Sequence, residues 1–227
     1  MAEIKCIIFD CDGILVDSEE IGNSVLLSMA EEFGLRMTLE EAMMIFCGRS
    51  LKDCLQEIEI RINQKLPKDF ESDFRKKTNE KYKTELRPVK GVKQFIDNVN
   101  VSYCVASSGP LDKIRSNLSI TGLTEKFGEN IFSSYQINSW KPDPEIFLHA
   151  SKEMGFTPGE CIVIEDSKAG VISAVKGGFT VYALANEYNF QLLQNEGAII
   201  FYNFDELNDL LFRKEYRHLN EDRKINK

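Results

Sequence analysis

No apolar run in this chain of 227 residues approaches the roughly twenty that a membrane helix needs. No membrane partner is therefore expected. Histidine is nearly missing, with two residues, and the six cysteines (Cys6, Cys11, Cys47, Cys54, Cys104, Cys161) contain no C-x-x-C pair. That excludes the familiar Cys/His metal frameworks. An excess of basic charge is also absent: the net charge is −8. A general nucleic-acid binder would want a basic surface, so no nucleic-acid partner is expected. The start, Met1-Ala2-Glu3, is acidic, and the apolar run after it is broken by Lys5 and stopped by Asp10, which is not a secretory-signal pattern. A cytoplasmic, reduced chain with free thiols follows as the expectation. No internal repeat is visible.

What is present is an ordinary globular composition, 43% hydrophobic and 28% charged, long enough for one or two cored domains. Strand-like runs occur at Ile4–Phe9, Ser102–Ser107, Asn130–Ser133, Cys161–Glu165, Thr180–Leu184 and Ala198–Phe201. Helical patterns separate most of them, at Gly91–Asn98, Leu111–Leu118, Pro144–Glu153, Ala169–Lys176 and Asn189–Asn195. Such alternation predicts an α/β fold with a parallel, Rossmann-like sheet. From Ser18 to Arg87 the rhythm breaks, because apolar residues recur at helical spacing and no strand intervenes. This predicts a smaller all-helical unit, 18–87, inserted after the first strand of a core formed by 1–17 and 88–227. Pro88 and Gly91 mark the return to the core. The polar tail after Phe212 is expected to fray.

The chemistry is concentrated where strands end. The first strand runs into Asp10-Cys11-Asp12-Gly13, and open α/β sheets bind ligands at the carboxyl ends of their strands. An aspartate there can attack phosphorus, and a second can trade protons with the leaving group; a strand-ending Asp turn is the plainer alternative. Alternation turns Cys11 away from the two acids, which favours a structural thiol. Ser107-Ser108-Gly109-Pro110 follows the second strand and offers a hydroxyl and backbone N–H groups to an anion, or simply caps the next helix. Lys141 sits in Ser139-Trp140-Lys141-Pro142-Asp143-Pro144, stiffened by two prolines. Its ammonium would neutralise phosphate and hold the nucleophile. Glu165-Asp166 ends the fourth strand-like run. Beside Asp10 and Asp12 these acids form an all-oxygen cluster that suits Mg²⁺, although Asp166 taken alone reads as a helix cap.

The order D-x-D-G, then S, then K-P, then E-D, each after a strand, resembles the haloacid dehalogenase superfamily across nearly the whole chain. The resemblance implies that Asp10 is the nucleophile forming an aspartyl-phosphate, and that Asp12 is the acid and base. It implies Mg²⁺ on Asp10, the Asp12 carbonyl and Asp166, with Glu165 as an indirect ligand. Ser107, Ser108, Gly109 and Lys141 would hold the phosphoryl group. The helical unit would be the superfamily's cap, and the core a five-stranded sheet with its first strand central. Asp12, missing from true dehalogenases, points to phosphate chemistry.

The chain looks like the group of β-phosphoglucomutases and 6-phosphogluconate phosphatases. A phosphatase acting as a monomer on a small phosphorylated metabolite, such as a sugar phosphate or 6-phosphogluconate, is therefore expected. A phosphosugar mutase is the alternative, weakened by Gly22 where the mutases carry a cap histidine. A non-catalytic phosphate-binding regulator is a third reading, disfavoured because both aspartates are kept. Substrate choice would rest on Arg49 and Lys52 of the loop Cys47–Asp53, beside a helix start that Ser50 and Asp53 mark as a capping box. Ordinary solvated charges are the alternative for both.

Overall fold

The computed structural model describes residues 3–47, 49–187 and 189–212. The polar tail after Phe212, the first two residues and Gly48 of the loop before the third helix lie outside them. Six parallel strands form one sheet: β1 (Cys6–Phe9), β2 (Ser102–Ser107), β3 (Ile131–Ser133), β4 (Cys161–Glu165), β5 (Thr180–Leu184) and β6 (Ile199–Phe201), in the order β3-β2-β1-β4-β5-β6. The resemblance had implied five strands; β6 adds a sixth at the edge, paired to β5 from Tyr182↔Ile199 to Leu184↔Phe201. Chain direction across the sheet reverses at β1, where β2 lies on one side and β4 on the other. That switch point opens a crevice at the carboxyl edge.

Twelve α-helices are described: α1 (Glu19–Glu31), α2 (Leu39–Phe46), α3 (Leu51–Ile62), α4 (Phe70–Glu85), α5 (Val92–Asn98), α6 (Leu111–Ile120), α7 (Thr124–Phe127), α8 (Ser134–Ile137), α9 (Glu145–Glu153), α10 (Lys168–Lys176), α11 (Phe190–Asn195) and α12 (Phe204–Phe212). β1 is wholly buried because both sheet faces are covered. Its alternation divides the core. Ile7 and Phe9 pack with α5, α6 and α12 on one face, through Phe95, Ile114 and Phe204. Cys6 and Ile8 pack with α9, α10 and α11 on the other, through Phe147, Val171 and Leu193. None of the described helices is long and apolar enough to cross a membrane.

The insert carries a hydrophobic cluster of its own. Leu26, Met29 and Ala30 of α1 meet Phe46 of α2, Ile58 of α3 and Phe70 of α4. Apolar periodicity over Ser24–Phe33, Leu51–Leu66 and Asp69–Leu86 suggests three helical stretches here; α2 is a fourth. It starts at a reciprocal capping box in which Glu41 N–H donates to Thr38 Oγ1 at 3.2 Å and Thr38 N–H donates to Glu41 Oε2 at 2.7 Å. The box expected at Ser50 is only half made. Asp53 N–H donates to Ser50 Oγ, but the Ser50 hydroxyl takes the Asp53 carboxylate at 2.7 Å, since aspartate lacks the reach of glutamate. The two strands of chain joining insert to core run side by side, with Asp17 N–H donating to the Arg87 carbonyl at 2.9 Å and a bridge between Val16 and Pro88.

Candidate active site

Asp10 and Asp166 each follow the last residue of a strand, and those strands, β1 and β4, are neighbours. Both carboxylates therefore reach one point of the carboxyl edge. With Glu165 they place ligand oxygens within 4.8 Å of one another. Gly13 makes this approach possible: its φ is +81°, and a Cβ there would sit 1.9 Å from Asp166 Oδ2. The N-cap of α10 is Ser167, which accepts from Gly170 N–H at 3.0 Å. Asp166 is thus released from the capping role that was its plainer reading.

Lys141 binds the cluster from the loop before α9. Its Nζ lies 2.5 Å from Asp10 Oδ1 and 2.6 Å from Glu165 Oε1. It also lies 4.7 Å from the centroid of the Phe147 ring, within cation–π range. Only 6% of the side chain is exposed. The other Glu165 oxygen accepts from Asp166 N–H, Ser167 N–H and Ser167 Oγ at 2.8, 2.8 and 3.0 Å. Both oxygens of Glu165 are engaged, so within the cluster it anchors Lys141 and the start of α10.

Electrostatics leaves the cluster short of positive charge. Burial pushes the Asp10 carboxyl up; Lys141 opposes this, Glu165 and Asp12 add to it, and the balance lies at about 7. Burial raises Asp166 well above the carboxylate range, helped by Glu165, Glu19 and Asp10. Burial alone would depress Lys141, but Asp10 and Glu165 outweigh it and hold the ammonium charged. A divalent cation on oxygen ligands would relieve the repulsion between Asp10 and Asp166. By this measure the residues fit Mg²⁺.

The Asp12 carboxylate stands outside that cluster. Ser18 Oγ donates to its Oδ1 at 2.8 Å, and Lys113 Nζ lies 2.7 Å from its Oδ2. Burial works against its ionisation, but Lys113 and then Ser18 prevail and hold the carboxyl below its ordinary value. Cys11, between the two acids, is fully buried, and burial with both aspartates raises its thiol, as a structural cysteine requires.

Ser107 ends β2 and is buried. Its Oγ accepts from Gly109 N–H at 3.1 Å, and the Gly109 carbonyl accepts from Ser133 Oγ at 2.6 Å. Gly109 N–H is thus turned inward rather than standing free for an anion, which departs from the expectation. Ser108 is half-buried beside it. Arg49 is half-exposed with its Nη1 3.9 Å from Glu57 Oε2, and Lys52 is exposed. Burial, then Glu19 and Asp166, push the thiol of Cys47, at the start of that loop, up.

Four participants escaped the sequence. Lys113 sits in the first turn of α6, where a lysine reads as solvated. Ser18 has the position of an N-cap, yet its hydroxyl goes to Asp12 and makes no cap. Glu19 reads as a first-turn acid of α1 but acts on Asp166. Ser133 reads as the end of β3 and instead ties down the Ser107 turn. Ser18-Glu19, separated by four residues from the D-x-D-G turn, was the one available hint.

A family model described as haloacid dehalogenase-like hydrolase matches residues 7–184. The 6-phosphogluconate phosphatase of Escherichia coli is 32% identical over 191 residues, covering 83% of this chain and 86% of that protein. The phosphorylated carbohydrates phosphatase of Thermotoga maritima is 27% identical over 220 residues, covering 92% and 98%. Among solved structures, a haloacid dehalogenase-like protein of Agrobacterium tumefaciens superimposes with a TM-score of 0.85 at 26% identity, covering 92% of this chain and 97% of that one.

Proposed function

The chain belongs to the haloacid dehalogenase-like hydrolases, and on that premise we propose that it is a Mg²⁺-dependent phosphatase of small phosphorylated carbohydrates. The observation that carries this is the Asp10–Lys141–Glu165–Asp166 cluster at the switch point of the sheet. The two relatives named as phosphatases support the substrate class. Asp10 and Asp166, with the Asp12 carbonyl, would hold the ion, and Glu165 would serve it indirectly. When bound, the ion lowers the repulsion between nucleophile and phosphate.

Asp10 attacks phosphorus as the ester P–O bond breaks, giving an aspartyl-phosphate. Asp12 delivers a proton to the departing oxygen, then takes one from the water that cleaves the acyl phosphate. Lys141 holds Asp10 in place and, with Ser107, binds phosphoryl oxygens. Ser108 and Gly109 complete the phosphate side; Gly109 must first turn its N–H from Ser107. Residues 18–87 act as a lid on the core formed by 1–17 and 88–227, swinging on the paired segments at Asp17 and Arg87. Their separate hydrophobic cluster supports movement as a body. Arg49 and Lys52 on that lid favour a substrate with a second anionic group, and 6-phosphogluconate fits. Gly22 provides no side chain for the second proton transfer of a mutase.

The test is phosphate release from 6-phosphogluconate and neutral sugar phosphates with and without Mg²⁺, beside Asp10→Asn. Wild-type turnover that requires Mg²⁺ and vanishes in the variant is expected. Near-wild-type turnover by Asp10→Asn would sink the mechanism.

A further inference from the structure

We propose that Lys113 is a positioning residue that, with Ser18, clamps the Asp12 carboxylate in its working orientation. The inference rests on the phosphatase reading of the site and adds a part which that reading does not use. Each oxygen of Asp12 is taken by a donor from a different element: Ser18 Oγ at 2.8 Å from the head of α1, and Lys113 Nζ at 2.7 Å from α6. The terminal torsion of an aspartate is broad when nothing holds it. Two donors, one on each oxygen, fix it.

The placement of Lys113 is electrostatically adverse unless Asp12 is its purpose. It is the third residue of α6, in the first turn, where the helix dipole disfavours a cation. Helical side chains lean toward the N-terminus, which aims this one at the carboxyl edge of the sheet. Tyr82 of α4 covers it, with Nζ 6.0 Å from the ring centroid. Tyr82 Oη in turn donates to the Ser18 carbonyl at 3.5 Å. Lys113 and Ser18 are thus held against the acid by the same side chain.

A phosphate-binding role is the competing one for a lysine here. The two lysines of the site are divided between two carboxylates, Lys141 on Asp10 and Lys113 on Asp12. Each carboxylate oxygen has a second lone pair, so the clamp leaves Asp12 able to exchange a proton. Lys113 itself transfers none and stays an ammonium throughout.

The reaction offers a signature. A p-nitrophenolate leaves without help from an acid, whereas cleavage of the aspartyl-phosphate needs Asp12 to draw a proton from water. Freeing Asp12 should therefore slow the second step more than the first. In Lys113→Met, steady-state kcat on p-nitrophenyl phosphate should fall about tenfold or more, the scale of a misplaced general base. KM should fall in step with kcat, leaving kcat/KM nearly unchanged, because the first step is untouched. Rapid mixing should reveal a burst of one p-nitrophenolate per active site, absent from the wild type. Ser18→Ala removes the other half of the clamp without stranding a charge and should give the same burst, which covers the case of a methionine variant that does not fold. A kcat held at the wild-type value, or a loss confined to KM, would overturn the clamp in favour of a substrate-binding or merely structural lysine. Wild-type protein without phosphatase activity, or an active Asp10→Asn, would instead bring down the underlying reading and this inference with it.

Discussion

Lys141 is the residue on which the site's charge balance turns. It is buried between Asp10 and Glu165 at 2.5 and 2.6 Å. Removing one partner of a buried ion pair typically costs about 3–5 kcal/mol, because the other is stranded. Lys141→Met strands two carboxylates beside a third, Asp166, already pushed high. Metal-free Lys141→Met should lose about 3–5 kcal/mol of stability at pH 8 in urea denaturation. The sign with pH follows from the carboxylates. Asp10 titrates at about 7 even with Lys141 present, above an unfolded carboxyl near about 4. Its stabilising protonated form is fully present below the lower value and lost as pH rises through the upper one. Without Lys141 that upper value climbs further, so the variant's deficit should shrink toward pH 5. A deficit that grew on acidification would mean that the carboxylates are not stranded together.

At the level of elements, the start of α10 shows how tightly a helix can be fitted to a charged group. Gly170 stands where alanine would ordinarily improve a helix by about 1 kcal/mol. A Cβ there would lie 1.8 Å from Glu165 Oε1. That carboxylate sits at the far end of a flexible side chain, but it is pinned by Lys141, Asp166 N–H and both donors of Ser167. Moving it releases the lysine from the cluster. Gly170→Ala should therefore destabilise by about 1–3 kcal/mol and weaken phosphate binding, read by thermal denaturation and by inhibition with inorganic phosphate. Unchanged or improved stability would show that Glu165 is less firmly held than its bonds indicate.

Across the whole molecule, the proposed reading has the core contact only the phosphoryl group, so discrimination among phosphate esters falls to the parts outside it. Cys47 of the helical insert feels the charges of Glu19 and Asp166, and Arg49 follows two residues later. Its ion pair with Glu57 is long, 3.9 Å, and half-exposed, so it is weak and leaves the guanidinium available to a substrate carboxylate. Arg49→Ala should raise KM for 6-phosphogluconate about tenfold, near 1.4 kcal/mol, and leave that for p-nitrophenyl phosphate nearly unchanged. Equal effects on both would make Arg49 a solvated or structural residue and leave substrate choice to other parts of the insert.

The ordering of parts is written in the chain. Short apolar runs located every described strand to within two residues, and period-3.6 spacing marked the insert as helical. D-x-D-G, S-S-G-P and E-D marked the ends of strands, where acids and hydroxyls meet a ligand, and K-P marked the stiff loop before α9. Helix α2 was missed, although T-x-x-E ahead of an apolar run was a local signal for its start. The pairings were not legible. Lys113 meets Asp12 across 101 positions of chain, and nothing local distinguishes it from the rest of the 28 lysines and arginines. The same holds for Ser18 giving up its helix cap and for Glu165 spending both oxygens on neighbours. These contacts exist only once β1 lies between β2 and β4 and the insert has folded back to the carboxyl edge. Periodicity is set by which face of one element is buried, whereas ion pairs are set by which elements meet.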